Sequence, residues 1–234
     1  MVIEQKAFKN PNKVFWGKEL VAHFLSSKRI SESNVAYFLA LAGEVVNFDR
    51  FCRNELKAPK KVTKREFIFD SIISRLTDGA KVLEFGVAHG YTTDYFLRSS
   101  NMQLSYFGFD LFTGLPKAWR RLEEGHFSNG GIPPEVSDPR LTWVVGDVIK
   151  TFTKDFRIET TGQHVLLFDL DLLFPTAHVF DVAVSIGILK KGTILYFDEA
   201  HDSDELSIIK TMLLPKYNCK VIARSWSSIA FEIL

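Results

Sequence analysis

At 234 residues and a formal net charge of +1, the chain has the size of one α/β domain with a short extension. That charge does not favour nucleic acid or a membrane surface as a partner. Hydrophobic residues make up 46% of the chain, and with 21 Phe among them they supply a large core. The two cysteines are far apart, which excludes a disulfide framework and indicates a reducing compartment. The first residues lack the apolar core of a signal peptide, so we expect a cytoplasmic protein.

The first 61 residues are predicted to form an N-terminal helical extension. Ser31 or Ser33 is a candidate cap for a helix with apolar residues at spacings of three and four, running to about Leu56. Residues 1–65 hold 13 Lys and Arg against 6 Asp and Glu. This excess indicates either contact with an acidic substrate or, as we favour, a solvated helical face that leans on an acidic body.

From residue 62 to residue 234, predicted helices and strands alternate. The first helix of this domain places Phe67, Ile68, Ile72 and Leu76 on one face. Strands are predicted over residues 81–87, 104–110, 141–146, 164–169 and 192–198, helices over 91–99, 176–189 and 204–214, and an antiparallel edge hairpin over 219–224 and 228–234.

This alternation predicts a Rossmann-like, doubly wound, mostly parallel sheet with an antiparallel edge strand and helices on both faces. In such folds ligands bind at the carboxyl ends of the strands, beside the point where the strand order reverses. The residues that end strands are therefore the candidates for function.

The first three strands end in residues suited to an adenosyl ligand. Glu84, Gly86 and Gly90 mark a tight turn at a helix N-terminus, although this spacing alone also fits a plain strand-to-helix turn. Asp110, after the second strand, is placed to accept hydrogen bonds from ribose hydroxyls, or to cap a helix. Asp147, after the third strand, is placed to receive an adenine amino group. A dinucleotide is disfavoured because the pyrophosphate-binding glycine pattern is incomplete.

The fourth and fifth strands end in carboxylates. Asp169 and Asp171 alternate with apolar residues, so in an extended segment both point to one side, and Asp198 and Glu199 follow the fifth strand. Buried carboxylates need compensation, from a divalent cation such as Mg²⁺ or Mn²⁺, which we favour, or from Arg, Lys or backbone N–H groups.

Two further features lie at the same predicted edge. His89 and His201 are better catalytic candidates than the remaining histidines, of which His126, His164 and His178 are predicted to be structural. About thirty residues without periodicity follow Asp110. They fit either an active-site lid using Trp119, Phe127 and the Gly130-Gly131 pair, or a structural Ω-loop.

With these residues assembled, residues 62–215 resemble the macrocin O-methyltransferase family of class I SAM-dependent methyltransferases. The matching motifs are L-E-F-G-V-A-H-G (83–90), G-F-D-L-F-T-G-L-P-K-A-W (108–119), G-H-F-S-N-G-G-I-P-P-E-V (125–136), V-V-G-D (144–147), L-L-F-D-L-D-L (166–172) and Y-F-D-E (196–199). The second of these is the most specific, since glycine turns and strand-end acids occur in all SAM enzymes.

The resemblance implies roles for these residues. SAM would be bound by Glu84, Gly86, Gly90, Asp110 and Asp147, and Mg²⁺ by Asp169, Asp198 and Glu199. Asp171 would be the general base that takes the proton from a sugar hydroxyl. His201 is a second catalytic candidate from its place at the predicted ligand edge, not from the resemblance.

The sequence departs from the family at three places. Leu173 and Pro175 stand where the family often has Tyr and Ser, Ala200 replaces an aromatic residue, and Tyr91 stands where the glycine turn usually has a further glycine. The first two departures bear on acceptor recognition more than on SAM binding.

The implied function is methyl transfer from SAM to a sugar hydroxyl of a small glycosylated natural product or a surface glycan, with no nucleic-acid or membrane partner. Three alternatives stay open: a metal-independent methyltransferase, a non-catalytic SAM-binding or scaffold protein, and a nucleotide-dependent oxidoreductase. The N-terminal segment lies outside the resemblance and is a candidate for a wall of the acceptor pocket or for a contact in a homo-oligomer.

Overall fold

A computed structural model of the chain describes residues 32–234. The candidate cap Ser31 and about half of the predicted extension, residues 1–31, lie outside the described residues. The chain divides into two compact units, Met1–Glu44 and Val45–Leu234. The predicted domain boundary after residue 61 stays a prediction.

The described elements follow the predicted alternation. Helix α1 spans Glu32–Asn54, α2 Glu66–Ile73, β1 Ala80–Phe85, α3 Tyr91–Ser99, β2 Leu104–Asp110, β3 Leu141–Val145, α4 Val148–Thr151, β4 His164–Phe168, α5 Leu173–Ser185, β5 Ile194–Phe197, α6 Ser203–Ile208, β6 Cys219–Arg224 and β7 Ile229–Ile233. A single π-helical turn, Ile209–Leu213, continues α6.

The strands form one seven-stranded sheet in the order β3-β2-β1-β4-β5-β7-β6. The first five strands are parallel to one another, and β7 is antiparallel to both of its neighbours, β5 and β6. This confirms the Rossmann-like doubly wound sheet with an antiparallel edge hairpin. The strand order reverses between β1 and β4, so ligands are expected where these two strands end.

Two apolar clusters cover the two faces of the sheet, and the central strands are therefore buried on both sides. All five residues of β4 are buried. Phenylalanine rings fill one face: Phe85 stacks on Phe109 and Phe168 on Phe197, each at 4.8 Å between ring centroids.

Helix α2 presents a different face to the core from the one predicted. Ile68, Phe69 and Ile72 are buried, whereas Phe67 is 50% exposed. At about 100° per residue, Phe67 lies on the far side of the helix from Phe69, so only one of the two can join the apolar stripe. The prediction for Phe67 was wrong because adjacent apolar residues leave the stripe ambiguous.

A buried ion pair joins the end of α1 to the edge hairpin. The Asp49 carboxylate lies 2.8 Å from Arg224 and 3.2 Å from Lys61. The hydrogen bond from Arg224 is the largest cause that lowers the Asp49 pKa below its usual value. The Arg224 side chain also donates to the Pro59 carbonyl at 3.0 Å, so it secures the irregular segment that leads from α1 to α2.

Both cysteines are shielded. Cys52 is buried in α1 and Cys219 is half-buried in β6. Desolvation raises the pKa of each thiol to about 11. In the described part of the chain, no helix has the length and apolar character needed to cross a membrane.

Candidate functional site

A cavity of about 380 Å³ lies at the carboxyl ends of the parallel strands. Seven of the residues predicted for the site line it: Gly86, Asp110, Asp147, Asp169, Asp171, Asp198 and Glu199. Glu84, Gly90 and His201 do not line it. One cavity thus combines the strand ends predicted for an adenosyl ligand with those predicted for a cation.

The glycines of the first strand end permit close packing of backbone. Gly86 has φ +89°, and a Cβ there would overlap the carbonyl oxygen of Asp169 at the end of β4. Gly90 has φ +78°, and its Cβ would lie 2.7 Å from the Pro134 ring. Gly86 therefore lets the ends of β1 and β4 meet, and Gly90 lets the irregular segment after β2 pack on the start of α3.

Asp110 holds the glycine turn in shape. Its Oδ2 accepts the backbone N–H groups of Val87 and Ala88, at 2.7 and 2.8 Å, and its Oδ1 accepts that of Phe112 at 2.7 Å. The turn needs this support, since Ala88 has φ +48°, a left-handed conformation that side chains disfavour. A carboxylate has about four acceptor sites, so Asp110 retains capacity for a ligand hydroxyl.

Asp147 follows β3 and caps helix α4. Its side chain accepts a hydrogen bond from the Ile149 N–H at 3.0 Å, as an N-cap aspartate usually does. It also lines the cavity, so the capping role and a ligand contact use the same carboxylate.

Glu84 lies beneath the turn rather than on the cavity wall. It is 2% exposed, and its Oε2 accepts the hydroxyl protons of Tyr106, at 2.8 Å, and of Thr93. Burial raises its pKa to about 8, while the two hydrogen bonds act in the opposite direction. The structure places Glu84 as a buried support between β1, β2 and α3; its predicted contact with a cofactor stays a prediction.

Four carboxyl groups share the other end of the cavity: Asp169, Asp171, Asp198 and Glu199. Burial, followed by the charge of Asp198, raises the pKa of Asp169 well above its usual value, that of Asp171 to about 6 and that of Glu199 to about 8. These carboxyl groups lie so close together that ionisation of one disfavours ionisation of the others. A cluster of this kind is where a bound cation or a catalytic base is expected.

The segment that carries Asp169 and Asp171 is not extended, contrary to the prediction. Strand β4 ends at Phe168, and Asp171 has φ +60°. The strand alternation used in the prediction therefore does not apply, yet both side chains reach the cavity. A non-glycine residue held at positive φ is a form of local strain that concentrates at functional sites.

Arginine side chains neutralise part of the acid cluster. Arg65 Nη1 lies 3.2 Å from Asp198 Oδ2, and the Tyr196 hydroxyl donates to the other oxygen of Asp198. Arg120, from the segment after β2, donates through Nε to Asp202 at 3.0 Å, and its charge acts to lower the pKa of Asp171 and Glu199. Sequence reasoning missed both arginines, because neither belongs to a strand end or a spaced motif.

The carboxylates fit Mg²⁺ in chemistry, because hard oxygen donors of this kind are its preferred protein ligands. One oxygen near them, Glu205 Oε1, is buried without a hydrogen-bond partner in the described structure. Within residues 32–234, however, no three His, Cys, Asp or Glu side chains are placed to hold one ion together. Both Asp198 oxygens are already engaged, by Arg65 and Tyr196.

The two candidate catalytic histidines lie at different depths. His201 is buried with Nδ1 3.4 Å from Glu199 Oε2, so it meets a cavity residue without lining the cavity itself. His89 lines the cavity and lies 2.5 Å from Asn129 Oδ1. His164 and His178 contact backbone carbonyls through Nε2, as structural histidines do.

The segment between β2 and β3 covers part of the cavity. It has no helix or strand among the described elements, and its Trp119 and Phe127 line the wall. Asn129 Nδ2 donates to the Ala88 carbonyl at 2.7 Å, which ties the segment to the glycine turn. The segment therefore forms part of the cavity wall, and its role as an active-site lid stays a prediction.

No protein-family model matches the chain, and no curated protein matches it significantly. Solved structures of similar fold include the O-methyltransferase NovP, at 14% identity and TM-score 0.46 over 83% of this chain and 79% of NovP. Cofactor-bound Rv0187 from MTB is 13% identical with TM-score 0.43, covering 96% of this chain and 98% of its own. An rRNA methylase from Streptococcus thermophilus is 11% identical with TM-score 0.43, covering 75% and 99%. At these values the likenesses carry no argument about activity.

Proposed function

We propose that the chain is a SAM-dependent methyltransferase that methylates a sugar hydroxyl on a small glycosylated natural product or surface glycan, with Mg²⁺ assistance. The observation that carries the proposal is the single cavity at the strand reversal point. It joins the Asp110-supported turn to a cluster of carboxyl groups with raised pKa values.

The proposal assigns the ends of β1, β2 and β3 to the adenosine part of SAM. Asp110 accepts the ribose hydroxyls with its remaining lone pairs, and Asp147 receives the adenine amino group. Gly86 presents only backbone atoms to the ligand because it carries no side chain. SAM itself supplies the methyl group on a sulfonium leaving group, so the protein has mainly to orient the acceptor and deprotonate it.

Asp171 is assigned as the general base. A pKa of about 6 leaves it mostly ionised at neutral pH yet basic enough to accept a proton. Asp171 takes the hydroxyl proton as the acceptor oxygen forms its bond to the methyl carbon, and later gives that proton to water. Mg²⁺ would require Asp169, Asp198 and Glu199 to rearrange, since in the described structure they are not placed to hold one ion together; the ion would supply Lewis acidity that lowers the pKa of the acceptor hydroxyl.

A metal-independent transferase is the second candidate, and one observation favours it. Arg65 already gives Asp198 a positive partner at 3.2 Å, so the protein compensates part of the buried negative charge by itself. A non-catalytic SAM-binding protein is the third reading, which the departure at Ala200 from the resembled family supports mildly.

Calorimetric titration tests the proposed function directly. SAM, S-adenosylhomocysteine, NAD and NADP are titrated into the full chain, each with and without Mg²⁺. We expect binding of the two adenosyl ligands and none of the dinucleotides. Binding of a dinucleotide without SAM would favour a nucleotide-dependent oxidoreductase instead. SAM binding without transfer to any hydroxylated acceptor would favour a non-catalytic SAM-binding protein.

A further inference from the structure

Apart from Arg65, the charged side chains on the cavity wall are acidic. Arg65 is the one Lys or Arg that lines the cavity among the described residues, whereas six Asp and Glu side chains line it. Among the described residues, a ligand carboxylate in this cavity finds a Lys or Arg side chain to pair with at Arg65 alone. Arg65 therefore determines where a negative group of the ligand can lie.

The Arg65 guanidinium is held in place by contacts that leave several of its hydrogen-bond donors unused. It immediately precedes α2, its Nη1 lies 3.2 Å from Asp198 Oδ2, and its centre lies 5.2 Å from the centroid of the Tyr91 ring. An arginine offers five N–H donors, and in the described structure Nε and Nη2 make no hydrogen bond. The side chain is thus oriented by one carboxylate and one ring while most of its donors remain available for a ligand.

Its position lies opposite the adenosine end of the cavity. Arg65 contacts Asp198, which follows β5, and the charge of Asp169, which follows β4, also acts on it. Asp110 and Asp147 follow β2 and β3, on the other side of β1 in the sheet. A ligand with adenosine at Asp110 and Asp147 that extends across the end of β1 therefore brings its far end to Arg65.

We propose that Arg65 binds the α-carboxylate of the methionine part of SAM. This inference rests on the proposed function, because it takes SAM as the ligand. The methionine part carries a carboxylate and an ammonium on one carbon. Arg65 offers the carboxylate a positive partner with unused donors at the cavity wall, and a guanidinium binds a carboxylate through two parallel hydrogen bonds.

The test compares adenosyl ligands that differ in this carboxylate. Calorimetry measures SAM, S-adenosylhomocysteine, decarboxylated SAM and methylthioadenosine against the wild-type chain and the variants R65Q, R65K and K64Q. Lys64 is the matched control, since it is the exposed neighbour of Arg65 and lies outside the cavity.

We expect the wild-type chain to bind SAM about 10- to 100-fold more tightly than decarboxylated SAM, the range expected for hydrogen bonds between charged groups. R65Q should lose about that factor for SAM and S-adenosylhomocysteine, while its affinity for methylthioadenosine changes by less than about threefold. R65K should recover part of the lost SAM affinity, because lysine restores the positive charge but cannot donate two parallel hydrogen bonds as a guanidinium does. K64Q should resemble the wild type.

Each contrary result has a distinct meaning. Unchanged SAM affinity in R65Q overturns the inference, and tighter Mg²⁺ binding by that variant would then identify Arg65 as a counter-ion of the acid cluster only. An equal loss of affinity for all four ligands overturns the inference, since it shows that Arg65 supports the structure of the site and does not contact the carboxylate. If R65Q does not fold, equal wild-type affinities for SAM and decarboxylated SAM overturn the inference on their own. A wild-type chain that binds no adenosyl ligand overturns the proposed function as well.

Discussion

The Asp110 carboxylate accepts the Val87 N–H at 2.7 Å, so the end of β2 fixes the turn that follows β1. In Asp110→Ala, three backbone donors lose their acceptor, and we expect the free energy of unfolding to fall by about 1–3 kcal/mol and SAM affinity to fall at least about tenfold. Denaturant unfolding and SAM titration measure the two effects.

Asp147→Ala is the control for Asp110, since it removes one N-cap hydrogen bond of α4 and should cost about 1 kcal/mol. If Asp110→Ala is no less stable than the control, Asp110 does not support the turn.

Asp171→Asn should abolish turnover while leaving SAM affinity within about threefold, because the base is lost and the cofactor wall is kept. In the wild type, burial raises the pKa of Asp171 to about 6, and the base works only when ionised. Because kcat/KM reports the pKa values of the free enzyme, kcat/KM should be level above about pH 6 and fall about tenfold per pH unit below it. A variant that keeps full turnover would exclude Asp171 as the base.

Removal of divalent cations should stop methyl transfer. We expect EDTA to abolish turnover and added Mg²⁺ to restore it, since the cation lowers the pKa of the acceptor hydroxyl beside Asp171. SAM binding measured in the same EDTA buffer is the control, and it should persist. Full turnover in EDTA contradicts the metal role and supports a transferase in which Arg65 alone balances Asp198.

Gly86→Ala should prevent folding or lower the free energy of unfolding by several kcal/mol, because the new methyl group would overlap the Asp169 carbonyl at the strand reversal point. Gly187→Ala is a matched control: its φ is +77°, but its Cβ would meet nothing within 4 Å. That control isolates the left-handed strain, about 1–2 kcal/mol. Equal losses in the two variants would show that the close approach at Gly86 is relaxed at little cost.

Glu84→Gln should make stability less dependent on pH. Burial raises the folded-state pKa of Glu84 to about 8 from a usual value of 4.5, so the folded state holds this proton more tightly than the unfolded state does. The stability that this group contributes is present below about pH 4.5 and is lost as pH rises through about 8. Between about pH 4.5 and pH 8, the unfolding free energy of the wild type should therefore fall relative to that of the variant as the pH rises. A constant difference would mean that Glu84 ionises normally.

Much of the fold could be predicted because its signals are local. Apolar runs that end in glycine or an acid mark buried parallel strands, and every predicted strand is present. Seven of the ten predicted site residues line one cavity for the same reason, since the carboxyl ends of parallel strands meet at one edge.

What could not be predicted depends on contacts between distant segments. Arg65 and Asp198 are 133 residues apart, and no spacing in the sequence relates them. Glu84 ends up behind the turn because Thr93 and Tyr106 hold its carboxylate, a three-dimensional arrangement. The left-handed Asp171 likewise has no signal in a segment whose alternation favours a strand.

The shielded thiols make the chain convenient for spectroscopy. With the pKa of Cys52 and Cys219 each raised to about 11, only about one thiolate in ten thousand forms at pH 7, which is too few for rapid alkylation. A cysteine introduced at an exposed position between β2 and β3, such as Ser128, would therefore react with a maleimide dye well before either native thiol. Fluorescence from that one site can report on the cover of the cavity as ligands are added, without first removing the natural cysteines.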